Sequence, residues 1–335
     1  MRGEGVRGSS EAAGSKALTP SGFSRPGPSL LTLPSHASPL TSYTVGEAIA
    51  AATEVLGKAG VTEPRREAEE LYSSLVRRPT SAAWLDRDQP VRGALRTALD
   101  QAAARRAAGW PSAYAAGAAN FRGHWLAVDR RVLIPRPETE GLVDLVLAWG
   151  KGEARAGAPL VIADACTGSG AIAVALALEA TVEVRVIATD CSADALAVAR
   201  VNVEALGAGD RVELRHGDLL SPLAQERVDA VVSNPPYVAA AEWDRLDACV
   251  RDFEPREALV SGADGLDAIR ALAVEAQAAL RPGGLLALEV DARRAGEAAA
   301  LAVAAGFTGC AVLKDLFGRP RYVRARKAGG ADGSD

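Results

Sequence analysis

The sequence predicts an α/β protein: a mostly parallel seven-stranded sheet with antiparallel last strands, preceded by a small N-terminal helical domain. Three observations predict it. From about residue 160 to 290, short apolar runs alternate with helical patterns, the signature of parallel strands joined by helices on both faces. Between residues 44 and 108 apolar side chains recur only at helical spacing. Near the C-terminal end, two more strand-like runs flank the turn formers Gly318 and Pro320, which suggests a closing antiparallel pair.

Residues 1–43 are rich in Gly, Ser and Pro and have no apolar periodicity, so they are expected to be a disordered tail. Their Arg-containing, acid-poor composition also leaves room for a transit peptide, although Gly and Pro would interrupt the amphipathic helix such peptides need; an upstream start codon chosen in error would read the same way. Order begins at Thr44, which stands three residues before Glu47 in capping-box spacing. Val45, Ile49, Ala52, Val55 and Leu56 then predict a helix that stops at Gly60. Ala68, Leu71, Tyr72, Leu75 and Val76 predict another after Pro64, and Leu95, Ala98, Leu99 and Ala102 a third or fourth. These helices make up a domain over 44–108.

Residues 109–140 read as a connector, with a hairpin around Asn120–Gly123. The sheet domain, 141–326, has strands expected near 160–164, 184–189, 211–215, 228–233, 285–290, 308–314 and 320–325. Residues 327–335 are Gly- and Asp-rich and are expected to fray.

The formal charge of −4 and the lack of a Lys/Arg run argue against a protein that holds nucleic acid through many phosphates; a protein partner fits better. No apolar run is long enough to span a bilayer. Cys166, Cys191, Cys249 and Cys310 lie far apart with no metal-ligand spacing and read as reduced thiols of a cytoplasmic protein.

Two sheet ends carry chemistry. The run Val161 to Gly170 leads from a buried strand through a small-residue turn into a helix, and Gly168 and Gly170 let a ligand approach the backbone. Asp190 ends the next strand about 20 residues later, where a carboxylate can accept ribose hydroxyl protons. That pair suits a nicotinamide dinucleotide or S-adenosylmethionine equally, and Asp190 could instead be a helix cap. After the third strand, Asp218 could accept from an adenine amine and Leu219 pack on its ring, or Gly217-Asp218 could be a plain turn.

The fourth strand runs into Asn234-Pro235-Pro236-Tyr237. A Pro-Pro pair cannot continue a strand and leaves its carbonyls free to accept. The Asn234 side-chain oxygen and the Pro235 carbonyl can each take one proton of an NH₂ group, while Tyr237 supplies an aromatic wall. An amide nitrogen is a poor nucleophile, and two acceptors direct its lone pair at an electrophilic methyl without a strong base.

Asn234-Pro235-Pro236-Tyr237 on this sheet resembles the amino-methyltransferases as a group, including enzymes that act on exocyclic amines of DNA or RNA bases. Leu133-Ile134-Pro135-Arg136-Pro137-Glu138-Thr139-Glu140 narrows the resemblance to the release factor glutamine methyltransferase family, the PrmC/HemK type. Pro111–Tyr114, Phe121–Gly123, Phe253–Leu259 and Gly262–Leu266 extend it over about residues 44–325. In a related family that methylates a ribosomal-protein glutamine, the Pro-Arg-Pro-Glu-Thr stretch looks different.

The resemblance implies a class I S-adenosylmethionine-dependent methyltransferase, Rossmann-like, whose helical domain docks a class I peptide chain release factor. The substrate would be the glutamine of that factor's Gly-Gly-Gln loop. It further implies that Cys166, Thr167, Gly168, Ser169, Gly170 and Asp190 hold S-adenosylmethionine and that Leu219 flanks its base. Asn234, Pro235, Pro236 and Tyr237 would hold the glutamine, and Arg136 and Thr139 would help close the site. Two positions depart from the family: Cys166 stands where a Gly is frequent, and Asp291 replaces a Gly after Glu289.

Overall fold

The computed structural model describes residues 43–153 and 157–329. The expected tail therefore lies, but for Tyr43, outside the described residues, as do residues 330–335.

Five helices open the chain: α1 (Val45–Lys58), α2 (Pro64–Val76), α3 (Ser81–Leu85), α4 (Gly93–Ala107) and α5 (Ser112–Ala116). The capping box forms, with Thr44 Oγ1 accepting from Glu47 N at 3.2 Å and the Glu47 carboxylate from Thr44 N at 2.8 Å. Ile49, Leu56, Leu71, Tyr72 and Leu99 bury the helices against one another. Val55, expected in that stripe, is exposed, because one step of about 100° from Leu56 carries it past the stripe's edge.

The hairpin follows as β1 (Ala118–Phe121) and β2 (His124–Ala127). Its two turn residues, Arg122 and Gly123, both have positive φ, the twist a two-residue hairpin needs. Then come α6 (Pro137–Glu153), β3 (Leu160–Ala165), α7 (Ala171–Glu179), β4 (Val184–Asp190), α8 (Ala193–Ala205), β5 (Val212–His216) and β6 (Val228–Ser233). The chain continues through α9 (Ala248–Arg251), α10 (Asp267–Ala279), β7 (Leu280–Glu289), α11 (Ala295–Ala304), β8 (Phe307–Lys314) and β9 (Pro320–Lys327).

The seven-stranded sheet has the order β5-β4-β3-β6-β7-β9-β8, parallel through β7, with β9 antiparallel to both its neighbours. Helices cover both faces: α6 and α7 bury Leu142, Val146, Ile172 and Leu176 on one side, while α10 and α11 bury Ile269, Leu272 and Ala298 on the other. Two boundaries differ from the sequence reading. β7 starts at Leu280 instead of 285, because Pro282, Gly283 and Gly284 disguise an irregular strand start as a turn. β9 runs to Lys327, whose ammonium donates to the carbonyls of Gln277 and Leu280, so order extends past 326.

From β3 the chain winds outward to β4 and β5, then returns to place β6 on β3's other side. The crevice at the carboxyl ends of β3 and β6 is therefore the switch point where open α/β sheets bind ligands. Beside the edge strand β8, Tyr322 on β9 donates to the Glu138 carbonyl at 2.5 Å, pinning the start of α6. Gly141 is needed for this, since a Cβ there would sit 2.4 Å from the Tyr322 hydroxyl oxygen.

Candidate active site

The turn after β3 is built on a buried carboxylate. Asp164 Oδ2 accepts from Thr167 Oγ1 at 2.6 Å and from Ala173 N at 3.1 Å, which ties strand, turn and helix α7 together. Burial pushes its pKa up to about 7, and Oδ1 has no hydrogen-bond partner. Within the turn Cys166 takes φ +58° and Gly168 φ +54°, both left-handed. The Cys side chain is strained there, at a cost of about 1–2 kcal/mol. Gly170, also left-handed, brings α7 against α8: a Cβ would lie 3.4 Å from that of Ala199.

Asp190, at the end of β4, has one carboxylate oxygen on Gly168 N at 2.8 Å and the other on Ser192 N at 2.9 Å. Burial raises its pKa, and the two backbone donors oppose that rise. Each oxygen keeps a lone pair for a further donor. The neighbouring cap position belongs to Ser192, which accepts from Ala195 N. Thr189 Oγ1 donates to the Leu219 carbonyl at 2.6 Å and so fixes the backbone beside Asp218.

Two cavities meet at the end of β6. One, of about 400 Å³, is lined by Cys166, Gly168, Asp190, Asp218, Leu219 and Asn234. The other, of about 360 Å³, is lined by Arg136, Pro235, Tyr237, Glu242, Arg245 and Asp291. Asn234 and Pro236 line both. Thr167, Ser169 and Thr139 face a smaller hollow between them, with Arg136 and Asn234 also on its wall. Ser169 is fixed through its carbonyl by the Asn202 amide at 2.8 Å, so Thr167 and Ser169 serve the shape of the turn.

The Asn-Pro-Pro-Tyr exit is held by the segment that follows α9. Tyr237 N and Val238 N both donate to the Leu259 carbonyl, and Ser261 N donates to the Val238 carbonyl. Among the described residues no hydrogen bond ends on the Pro235 carbonyl. Asn234 Nδ2 donates to Thr139 Oγ1 at 3.2 Å, which leaves the amide oxygen on the side away from Thr139. The second cavity's wall is fixed by ion pairs: Arg136 with Glu254 at 2.5 Å, and Glu242 with Arg293 and Arg294 at 2.8 and 2.9 Å. Asp291, two residues past the end of β7, pairs with Arg293, accepts its backbone N–H and lines the second cavity, while β7 stays paired with β9 as far as Glu289.

Sequence reasoning assigned no role to Asp164, Glu254 or Glu289. All three are carboxylates at most 5% exposed. Their signal was a lone acid in an apolar strand for Asp164 and Glu289; Glu254 gave none, because its partner Arg136 lies more than a hundred residues away.

The chain matches the family described as PrmC N-terminal domain over residues 47–117 and the one described as Methyltransferase small domain over residues 156–251. It is 42% identical over 281 residues to the release factor glutamine methyltransferase of Cereibacter sphaeroides, covering 84% of this chain and 97% of that protein. To the protein of the same name in Bordetella pertussis it is 45% identical over 262 residues, covering 77% and 93%. Among solved structures it is similar to the Thermus thermophilus 16S rRNA N2 G1207 methyltransferase in complex with AdoMet and guanosine, at 20% identity and a TM-score of 0.45, covering 63% of this chain and 49% of that one.

Proposed function

We propose that this chain, which belongs to the release factor glutamine methyltransferase family, methylates the side-chain nitrogen of a glutamine, the one in the Gly-Gly-Gln loop of a class I peptide chain release factor. One observation carries the reading: Asn234 and Pro236 stand in the wall shared by two cavities, one suited to a nucleoside and one open to a side chain.

The residues of the larger cavity fit S-adenosylmethionine. Asp190 would take ribose hydroxyl protons, Leu219 would lie on the base with Asp218 near its amine, and the left-handed turn at Cys166–Gly168 lets the ligand approach the backbone. When bound, this cofactor supplies a methyl group on a positively charged sulfur. The chain's own part is to prepare the nitrogen. The Asn234 side-chain oxygen and the Pro235 carbonyl each hold one amide proton, and both bonds strengthen as positive charge develops on nitrogen. Tyr237 walls the glutamine, and burial raises its hydroxyl pKa, so it stays neutral. Arg136, held by Glu254, closes the substrate side. Helices α1–α4 would dock the release factor. A substrate of the translation machinery and four free cysteines support a cytoplasmic location; no described helix is long and apolar enough to cross a membrane.

Mass spectrometry of a release factor co-expressed with the full chain tests this. One added methyl on the loop glutamine is expected. Transfer of label from S-adenosylmethionine to DNA or ribosomal RNA, with the release factor left unlabelled, would replace this reading by a base-amine methyltransferase.

A further inference from the structure

We propose that Thr139 and Glu289 are positioning residues that set which way round the Asn234 amide lies, presenting its oxygen to the substrate. The proposal rests on the reading above that Asn234 accepts a substrate proton.

An Asn amide has a donor end and an acceptor end of nearly equal shape, so something must choose between them. Asn234 Nδ2 meets Thr139 Oγ1 at 3.2 Å. A Thr hydroxyl has one proton and two lone pairs, and it faces an amide nitrogen only if its own proton is engaged elsewhere. Beside Thr139 and Tyr237 stands Glu289, the last residue of β7, 1% exposed, whose electrostatics couple to both hydroxyls and whose Oε2 is buried without a hydrogen-bond partner. An ionised carboxylate only accepts. With Oε2 in need of a donor, it takes the Thr139 proton when that hydroxyl turns toward it, which leaves Thr139 with lone pairs alone and makes the amide turn its NH₂ inward and its oxygen outward. Thr139 cannot retreat, since α6 is fixed through the Tyr322–Glu138 hydrogen bond.

The charged and titratable groups around Glu289 are Arg321 and the Tyr322 hydroxyl on β9, Glu138 on α6 and the Tyr237 hydroxyl, with Arg136 and Asp291 near the latter. Burial outweighs these and pushes Glu289 up to about 7. Once protonated, Glu289 can donate to Thr139, whose own proton is then free for the Asn234 oxygen. The amide turns over and presents a donor where an acceptor is needed. Activity is thus expected to fall as pH drops through about 7.

Steady-state kinetics with S-adenosylmethionine, a release factor and the full chain test the relay. Thr139→Val should lower kcat by about 10- to 100-fold, with KM and affinity for S-adenosylhomocysteine within about threefold. Thr139→Ser, which keeps the hydroxyl, should recover most of the loss. In the Asn234→Ala background Thr139→Val should cost less than about twofold more, because no amide remains to orient. Glu289→Gln should lower kcat and abolish its acid limb near pH 7.

An equal loss from Thr139→Val with and without Asn234, a Thr139→Ser as poor as Thr139→Val, or an acid limb kept in Glu289→Gln would overturn the proposal. Should Thr139→Val fail to fold, the Thr139→Ser and Glu289→Gln results decide alone. Full activity in Asn234→Ala would instead remove the methyl-transfer reading beneath it.

Discussion

The two cavities are walled by different means. One side of the larger is built of backbone: turns at the ends of β3, β4 and β5, with Cys166, Gly168 and Leu219 in left-handed conformations and Asp190 clamped by two amides, while residues after α9 line the other. The smaller is made of side chains brought from distant segments, Arg136 to Glu254 and Glu242 to Arg293 and Arg294. A backbone wall suits a ligand that never varies, because amides and strand ends cannot be retuned one residue at a time. An ion-paired wall suits a protein partner, whose surface can change and be followed by substitution.

The contrast can be broken first at a residue both cavities share. Asn234→Ala should reduce kcat about 10³-fold while S-adenosylhomocysteine affinity, read by calorimetry, stays within about threefold. An equal loss of cofactor affinity would mean that Asn234 belongs to the backbone-walled side alone. On that side, Gly168→Val forces a branched side chain into φ +54° at the ligand's path. Cofactor affinity should fall about 100-fold and stability by about 1–2 kcal/mol in urea unfolding.

On the other side, Arg136→Ala should raise KM for the release factor about tenfold and leave cofactor affinity alone. It would also cost about 1–3 kcal/mol of stability, as the buried Glu254 would lose a hydrogen-bonded partner. A cofactor effect as large as the KM effect would erase the distinction. The smallest change is Cys166→Gly, which relieves the left-handed strain; a gain of about 1 kcal/mol in unfolding free energy is expected with cofactor affinity unchanged within about twofold.

The same contrast explains what was legible in the sequence. Backbone walls leave local signatures. Gly168 and Gly170 after an apolar run, Asp190 about 20 residues on, and Asn234-Pro235-Pro236 ending a strand each announce a conformation over a few residues. The strands near 160, 184 and 228 were readable for the same reason, being short buried runs between turns. Side-chain walls leave no such trace, since nothing near Glu254 says that it meets Arg136. Cys166 shows the limit of local reading: its residue type argues for a negative φ, and the turn, held by Asp164 and Thr167, imposes the opposite sign. Glu289 was visible as an acid in an apolar strand, but its electrostatic coupling to Thr139 links the end of one strand to the start of a helix 150 residues earlier.

The sheet order puts the last-made of the described strands in the middle of this edge. β9 slots between β7 and β8, and its Tyr322 seats the helix start that carries Thr139. A ribosome delivers residues in order, so a growing chain can fold its nucleotide-side turns well before Pro320 emerges. Until then Glu138 lacks its anchor and β7 lacks a neighbour on one side. Because Val323 and Ala325 of β9 are themselves fully buried, the last strand to be made both closes the sheet and seats the helix start that carries Thr139.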